Sequence, residues 1–266
     1  LLDHRDVDTV LRRLKEGGWR LTGSDAVRAA LVEEAGTVMD PDDPLARLRA
    51  ALLSPPPQED LEVPGFVGEL RSYQRAGVGW LARIDDAGLG GCLADDMGLG
   101  KTVQLLAFLL LRAAHRPAER PHLLVCPTSV LGVWEREAAR FAPDLKIYRH
   151  YGPGRATTAR ALAGKARRGT ICLTTYSLLR RDAALLAGKH WEVVVLDEAQ
   201  AIKNSSAQVA RAAYSLEART RLALTGTPVE NRLTELWSII HYAVPGLLGS
   251  EVRFRDEIAV PVERFR

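Results

Sequence analysis

The octapeptide DDMGLGKT at residues 95–102 constrains the fold of this chain more than any other feature. It lies between a short apolar stretch, GGCLA at 90–94, and the long apolar run VQLLAFLLL at 103–111. A strand, a glycine-rich turn and a helix in this order present backbone N–H groups and the positive end of a helix dipole to an anion. The segment therefore predicts a phosphate-binding loop at the beginning of a helix.

The side chains of this loop have the chemistry of a nucleotide site. Lys101 would reach the β- and γ-phosphates, and the Thr102 hydroxyl would bind Mg²⁺. Contacts with the nucleotide are predicted for Met97, Gly98, Leu99, Gly100, Lys101, Thr102 and Val103. Asp95 departs from the general G-x-x-x-x-G-K-[ST] pattern, which has glycine at this position. Taken alone, the loop could also be an ordinary strand-to-helix turn.

An acidic pair later in the sequence supports the nucleotide interpretation. Asp197 and Glu198 directly follow the apolar run VVVL at 193–196. Beside a phosphate loop, Asp197 would hold Mg²⁺ through water, and Glu198 would orient and deprotonate an attacking water. The two segments together predict an ATP-hydrolysing site in which Lys101, Asp197 and Glu198 are catalytic and Thr102 and Asp197 hold Mg²⁺.

Short apolar runs alternate with helical stretches through most of the chain. The predicted strands are 90–94, 122–126, 146–151, 170–174, 193–196 and 221–224. Runs that are apolar throughout are expected for strands buried on both faces of a parallel sheet. We therefore predict an α/β fold with a doubly wound parallel sheet, and ligand sites at the carboxyl ends of its strands.

The α/β domain is predicted to cover residues 64–266, after two segments of different pattern. Residues 1–53 have helical periodicity without strand alternation, and we interpret them as a helical accessory segment that packs without chemistry of its own. The proline run at 55–57 and the acidic residues after it predict a stiff linker at 54–63. Because the chain begins with Leu1 and has no evident ending, we expect a fragment of a longer protein.

The composition is ordinary for a globular protein, with 47% hydrophobic and 26% charged residues. No apolar run has the roughly 18–20 residues that cross a bilayer, and no signal peptide opens the chain, so we expect no membrane contact. We expect a cytoplasmic location, with nucleoid association if the protein is bacterial. The abundance of arginine and alanine is typical of a GC-rich, bacterial genome.

A net charge of +3 does not by itself argue for nucleic acid. Cys92, Cys126 and Cys172 are predicted to be buried free thiols.

Five segments after the linker occur in a specific order around the phosphate loop. They are LRSYQRAGVGWL at 70–81, LLVCPTSVLGVW at 123–134, LTTYSLL at 173–179, VLDEAQAIKN at 195–204 and LTGTPVENRLTELWSI at 224–239. This series resembles the Swi/Snf family of superfamily-two helicase-like ATPases over roughly residues 65–260. Gln200 replaces the histidine that is commonest in that family. The resemblance implies the first of two RecA-like lobes.

The resemblance also implies roles for individual residues. Gln74 would read adenine, since an amide can pair with the edge of that base. The segments that would contact the backbone of one DNA strand are Pro127, Thr128 and Ser129, and Thr174, Thr175 and Tyr176. The segment that would couple the nucleotide site to the DNA is Thr225, Gly226, Thr227 and Pro228. For Lys203 and Asn204, a DNA contact and a solvated surface position both stay open.

Together these features predict the ATP-binding lobe of a DNA-dependent ATPase that translocates along double-stranded DNA and remodels protein–DNA complexes. In the family, a second RecA-like lobe supplies arginines that are worth about 10³–10⁵ in turnover, and this chain lacks it. We therefore expect the fragment to be nearly inactive alone.

The alternatives are a nucleotide-dependent module that binds a protein partner such as RNA polymerase, and a lobe of an RNA helicase. The segment LTGTP argues against the last, because DEAD-type RNA helicases usually carry Ser-Ala-Thr there.

Two groups of residues could suggest a nucleic-acid surface but have simpler interpretations. The tryptophans Trp80, Trp134, Trp191 and Trp237 are expected in the core or between helices rather than against DNA bases. The basic residues between Arg149 and Arg168 are expected to form a solvated helical face.

Overall fold

The computed structural model of the protein describes residues 61–229 and 232–264. The predicted helical segment 1–53 and most of the predicted linker lie outside these residues, so the domain boundaries stay a prediction. Within the described ranges, no helix is both long and apolar enough to cross a membrane.

Six parallel strands form one sheet. They are β1 (Gly91–Leu93), β2 (His122–Cys126), β3 (Ile147–Arg149), β4 (Ile171–Thr175), β5 (His190–Asp197) and β6 (Glu217–Leu224). Their order in the sheet is β1-β6-β5-β2-β4-β3, and every neighbouring pair is parallel. All six predicted strands are confirmed. The strands β5 and β6 begin three and four residues earlier than predicted, because their first residues are polar.

Helices cover both faces of the sheet. They are α1 (Ser72–Asp86), α2 (Lys101–His115), α3 (Leu131–Phe141), α4 (Ala159–Lys165), α5 (Tyr176–Arg181), α6 (Ala183–Ala187), α7 (Gln208–Tyr214), α8 (Leu233–Ala243), α9 (Glu251–Phe254) and α10 (Val260–Arg264). A π-helical turn, Arg255–Ala259, joins α9 to α10, and 3₁₀ turns form at Thr128–Val130 and Ala199–Ile202.

Two hydrophobic clusters lie on opposite faces of the sheet, as the doubly wound arrangement requires. The helices α1, α2 and α3 pack on one face, against side chains such as Leu124 and Val195. The helices α4 to α8 pack on the other, against neighbours that point the opposite way, such as Val125 and Val194. Every residue of β2 and β4 is buried, which explains why these strands are apolar or nearly so throughout. The predicted α/β fold is therefore confirmed.

Charged side chains are buried together at the amino edge of the sheet. Arg112, near the end of α2, is 5% exposed, and its Nε lies 3.0 Å from Asp85 Oδ2 while its Nη2 bonds Glu192 of β5. The Thr220 hydroxyl of β6 bonds the second oxygen of Asp85. Burial and the charge of Arg112 lower the pKa of His122 to about 4, so this imidazole is neutral beside the cluster. Because these groups bond one another, Glu192 of β5 and Thr220 of β6 can be buried near the beginnings of their strands.

The predictions for cysteine and tryptophan are largely confirmed. Cys126 and Cys172 are buried free thiols, and burial raises the pKa of each to about 12. Cys92 is free but only half-buried. The four tryptophans all pack in or against the hydrophobic clusters.

Candidate nucleotide-binding and catalytic site

The predicted site segments begin at one edge of the sheet, where the strands have their carboxyl ends. The register places Leu93 of β1 and Asp197 of β5 both opposite Leu224 of β6. On the other side of β5 the sheet continues with β2 and β4, where Cys126 of β2 lies opposite Thr175 of β4. Since neighbouring strands are about 4.8 Å apart, the strand ends that precede the phosphate loop and the acidic pair are separated by roughly 10 Å. A triphosphate is of that size, so the two segments can serve one ligand.

The phosphate loop has the backbone conformation that its glycines predict. Gly98 and Gly100 have φ values of +86° and +76°, in the left-handed region. A Cβ at position 98 would meet nothing within 4 Å, so the loop is open on that side. A Cβ at position 100 would lie 2.6 Å from Gln74 Nε2, so this glycine also lets α1 approach. The loop leads directly into the 15-residue helix α2, whose first N–H groups can bind an anion.

Asp95 has a structural role that accounts for its departure from the general pattern. Its backbone carbonyl accepts a hydrogen bond from Lys101 Nζ at 2.7 Å, and the Asp96 carbonyl accepts a second at 3.0 Å. The Asp95 carboxylate accepts from Gln104 Nε2 at 2.8 Å. Asp95 therefore ties the loop to the first turns of α2 and holds the Lys101 ammonium across it.

Gln74 lies against the phosphate loop at the beginning of α1. Its Oε1 accepts from the Arg71 N–H at 2.9 Å, and its Nε2 donates to the Leu99 carbonyl at 3.3 Å. An amide carries two N–H hydrogens and two lone pairs, so one donor and one acceptor remain for a ligand. The structure brings Gln74 to the predicted site, and its contact with adenine stays a prediction.

Asp197 is the last residue of β5 and is 9% exposed. Its Oδ2 accepts from Trp134 Nε1 at 2.7 Å, and its Oδ1 accepts from the Glu198 N–H at 3.0 Å. Burial raises the pKa of the carboxyl, and the Glu198 charge adds to this against the Trp134 hydrogen bond. A divalent cation would offset the cost of keeping this carboxylate ionised.

The hydrogen bond from Trp134 to Asp197 was not predicted from the sequence, which placed Trp134 in the core. The only signal for it was that a buried indole N–H needs an acceptor.

Glu198 is the only non-glycine residue with positive φ among the described residues, at 53°. Such a conformation costs on the order of 1–3 kcal/mol and occurs most often at functional sites. Gln200 Nε2 donates to Glu198 Oε2 at 2.7 Å, and Gln200 Oε1 accepts from the Thr225 hydroxyl at 2.8 Å. Gln200 therefore bridges the acidic pair and the predicted coupling segment.

The coupling segment also contacts the phosphate loop. A Cβ at Gly226 would lie 2.8 Å from Met97 Cγ, so the two segments touch where this glycine stands. The Thr227 N–H donates to Thr225 Oγ1 at 3.1 Å and closes the turn before Pro228. The segment thus lies between the phosphate loop and the acidic pair, although its coupling role stays a prediction.

The two segments predicted to contact DNA differ in what they expose. Thr128 and Ser129 are exposed on the 3₁₀ turn after β2. Thr174 and Thr175 are buried: the Thr174 hydroxyl donates to the His150 carbonyl at 3.0 Å, and Thr175 Oγ1 accepts from the Leu178 N–H at 3.4 Å. β4 continues through both residues and the protein bonds both hydroxyls, so these hydroxyls are not exposed, and a DNA contact of this segment stays a prediction.

The remaining predicted contact residues also have partners within the protein. The Tyr176 hydroxyl donates to the Asp197 carbonyl at 2.7 Å. Asn204 Oδ1 accepts from the Ser206 N–H at 3.1 Å and from its hydroxyl at 2.7 Å. Lys203 Nζ lies 3.9 Å from Glu235 Oε1. A DNA contact at these residues stays a prediction.

The residues present fit a nucleoside triphosphate with Mg²⁺. The open glycine loop, the helix beginning and Lys101 could hold the phosphates, and Thr102 and Asp197 could supply oxygen ligands. Among the described residues, no group of three or more His, Cys, Asp or Glu side chains could hold a metal ion. Mg²⁺ typically binds through one or two protein oxygens together with water and substrate phosphates.

Comparison with known proteins gives the same picture. The SNF2-related domain matches residues 73–265. The putative ATP-dependent helicase/translocase YwqA of Bacillus subtilis is 44% identical over 203 residues, which are 76% of this chain and 22% of YwqA. The chromatin-remodeling ATPase INO80 of Drosophila melanogaster is 38% identical over 216 residues, which are 78% of this chain and 13% of INO80. The chain thus spans less than a quarter of either relative.

A solved structure is also similar. The SWI2/SNF2 ATPase core of Sulfolobus solfataricus in complex with dsDNA aligns with a TM-score of 0.69 and 39% identity, over 77% of this chain and 42% of that chain. The six-stranded parallel sheet is the RecA-like sheet of that core. The family match, the identity of the relatives and the shared fold show that this chain belongs to the family of SNF2-related domains.

Proposed function

We propose that this chain is the ATP-binding lobe of a DNA-dependent ATPase that translocates along double-stranded DNA and remodels protein–DNA complexes. One observation carries the proposal: the phosphate loop, the acidic pair and the coupling segment meet at one sheet edge and are joined by contacts through Gln200 and Gly226. The Sulfolobus core, which is similar in sequence and fold, was solved in complex with dsDNA. That similarity supports duplex DNA as the nucleic-acid partner.

The chemistry follows from the positions of the side chains. Lys101 and the first N–H groups of α2 would hold the phosphates. Thr102 and Asp197 would hold Mg²⁺, which neutralises charge on the β- and γ-phosphates when bound. Glu198 Oε2 is engaged by Gln200, which leaves Oε1 to accept the proton of the attacking water. The hydrogen bond from Gln200 fixes the direction of this carboxylate.

Hydrolysis by this chain alone is expected to be very slow. Arginines contributed across a cleft by a second lobe are typically worth about 10³–10⁵ in turnover of such enzymes. The relatives are several times longer than the matched region, so they have room for such a lobe.

The proposal is tested by steady-state ATP hydrolysis of the complete polypeptide that carries this sequence. Turnover is measured with duplex DNA, single-stranded DNA, RNA and no nucleic acid. We expect the largest stimulation with duplex DNA, and a steep fall of the apparent DNA affinity as salt rises, because phosphate contacts release counterions. Stimulation by RNA alone would instead identify an RNA helicase lobe. Turnover or nucleotide binding without any nucleic-acid response would favour a protein-interaction module.

The bridge through Gln200 gives a prediction for the same assay. Gln200→Leu removes the hydrogen bonds to Glu198 and Thr225, and we expect DNA-stimulated turnover to fall about tenfold, the effect of one hydrogen bond to a charged group. The apparent KM for ATP should change little, since Gln200 holds the catalytic carboxylate. Gln208→Leu, at an exposed position on α7, is the matched control. Equal turnover in the two variants would show that the bridge is not used.

A further inference from the structure

Two aromatic side chains meet at Asp197 from different segments. Trp134 Nε1 donates to Oδ2 of the carboxylate, and the Tyr176 hydroxyl donates to the backbone carbonyl of the same residue, both at 2.7 Å. Tyr176 also lies 3.4 Å from the Glu198 carbonyl. The carboxylate and the main chain of Asp197 are therefore held from two sides.

Each aromatic residue belongs to one of the two segments that sequence analysis assigned to DNA. The exposed residues Thr128 and Ser129 form a 3₁₀ turn that continues without a break into α3, and Trp134 lies on the first turn of that helix. Tyr176 is the first residue of α5 and is followed by the exposed Ser177. The parts of these segments that can meet a DNA strand are thus only a few residues from the bonds to Asp197.

These connections are short and stiff. Trp134 is 2% exposed and packs in the cluster that includes α1, α2 and α3, so its indole has little freedom to adjust if the turn before it moves. An indole N–H is a donor only, with one direction. A shift of about 1 Å in a positioning group can cost a factor of about 10² in rate. A small displacement at Thr128 or Ser177 would therefore be felt at the carboxylate.

We propose that Trp134 and Tyr176 are positioning residues that connect the two DNA-facing segments to the Mg²⁺-binding carboxylate of Asp197. The inference rests on the proposed function and adds to it a route that is separate from the Gln200 bridge. The Gln200 bridge connects Glu198 to the coupling segment. Trp134 and Tyr176 instead bond Asp197, and they connect it to the two DNA-facing segments. DNA binding at these segments would thereby position the Asp197 carboxylate for Mg²⁺, in addition to favouring the attack of water on the phosphate.

The first test measures Mg²⁺ dependence without turnover. The complete polypeptide is titrated with Mg²⁺ in the presence of a fluorescent N-methylanthraniloyl ATP analogue, for wild type, Trp134→Phe and Tyr176→Phe. Trp134→Phe keeps an aromatic ring but removes the N–H, and we expect the half-saturating Mg²⁺ concentration to rise about tenfold, as for other partners of metal ligands. Tyr176→Phe should give a smaller rise in the same direction, since it touches the main chain.

The chain offers matched controls for both substitutions. The Trp191 N–H donates to the Leu186 carbonyl at 3.0 Å, and the Tyr242 hydroxyl donates to the Val194 carbonyl at 3.0 Å. Both residues are fully buried against the same sheet, and each donates to a backbone carbonyl other than that of Asp197. Trp191→Phe and Tyr242→Phe should leave the Mg²⁺ dependence within about twofold of wild type, while thermal unfolding reports the stability of all four variants.

The second test separates this inference from the proposed function. In the DNA-stimulated assay, Trp134→Phe should lower the ratio of stimulated to basal turnover about tenfold while the Kd for duplex DNA is unchanged. A folded Trp134→Phe protein with the Mg²⁺ dependence of wild type, or with no larger effect than Trp191→Phe, would overturn the inference and leave the proposed function intact. Wild-type protein that binds Mg²⁺ and nucleotide but does not respond to DNA would overturn the proposed function and, with it, the DNA part of this route.

Discussion

Glu198→Gln is expected to reduce DNA-stimulated ATP turnover of the complete polypeptide by about 10²–10⁴-fold, the usual contribution of a general base. The glutamine has nearly the same shape and can still bond Gln200, whose amide is able to donate or accept. It cannot take a proton from water. Nucleotide binding should therefore stay within about threefold of wild type, because Lys101, Thr102 and Asp197 are untouched. Single-turnover hydrolysis and binding of a fluorescent ATP analogue measure the two quantities separately.

A glutamate at the other edge of the sheet provides the control for this variant. Glu217 begins β6, is 63% exposed in its side chain and pairs with His190 at 2.8 Å. Glu217→Gln should retain full turnover. If Glu198→Gln kept more than about a tenth of wild-type turnover, the assignment of Glu198 as the base would be wrong.

Arg112→Met is expected to lower the free energy of unfolding by about 3–5 kcal/mol at neutral pH, because it leaves a buried carboxylate without its cation. Burial pulls the pKa of Glu192 upward, but the charge and hydrogen bond of Arg112 outweigh it, so the pKa lies below its ordinary value. In wild type this carboxylate stabilises the fold above its unfolded pKa and ceases to do so as the pH falls through its folded pKa. Without Arg112, burial is opposed mainly by the hydrogen bond from the Glu119 N–H, and the pKa of Glu192 rises.

The stability difference between wild type and Arg112→Met should therefore shrink as the pH falls toward 5. Urea unfolding at several pH values, followed by circular dichroism, measures this. Arg116→Met is the matched control: Arg116 binds the same Asp85 oxygen at 2.6 Å but is 34% exposed, so its loss should cost less, about 1 kcal/mol. Equal losses for the two variants, or a difference that does not depend on pH, would contradict this account of the cluster.

The sequence was informative wherever a local pattern determines the structure. The strands were found because both faces of the sheet are covered, so their runs are apolar. The phosphate loop was found because Gly98 and Gly100 must adopt positive φ. The relation of the loop to Asp197 and Glu198 could be expected from the rule that parallel strands end at one edge, and the register of β1, β6 and β5 confirms it.

What the sequence did not show depends on contacts between distant residues. Charged residues are usually found at the surface, so no sequence pattern indicated that Asp85, Arg112 and Glu192 are buried. Only the tertiary fold brings them together inside the protein. The bond from Trp134 to Asp197 spans 63 residues, so no local pattern could reveal it. The predicted strand ends at Thr174, whereas β4 also includes Thr175, and both hydroxyls are bonded inside the protein. In each case a side chain's partner, rather than its type, decides its role.

The buried charges at the amino edge have a consequence for how the protein can move. The elements they join are α1, α2, β5 and β6, and the opposite ends of these elements carry Gln74, Lys101, Asp197 and Thr225. If α2 slid along β5 by even one residue, Arg112 would lose Glu192 inside the protein. We therefore expect these four elements to move together, and we expect a rearrangement on ligand binding to involve the loops at the carboxyl edge or displacement of the whole lobe.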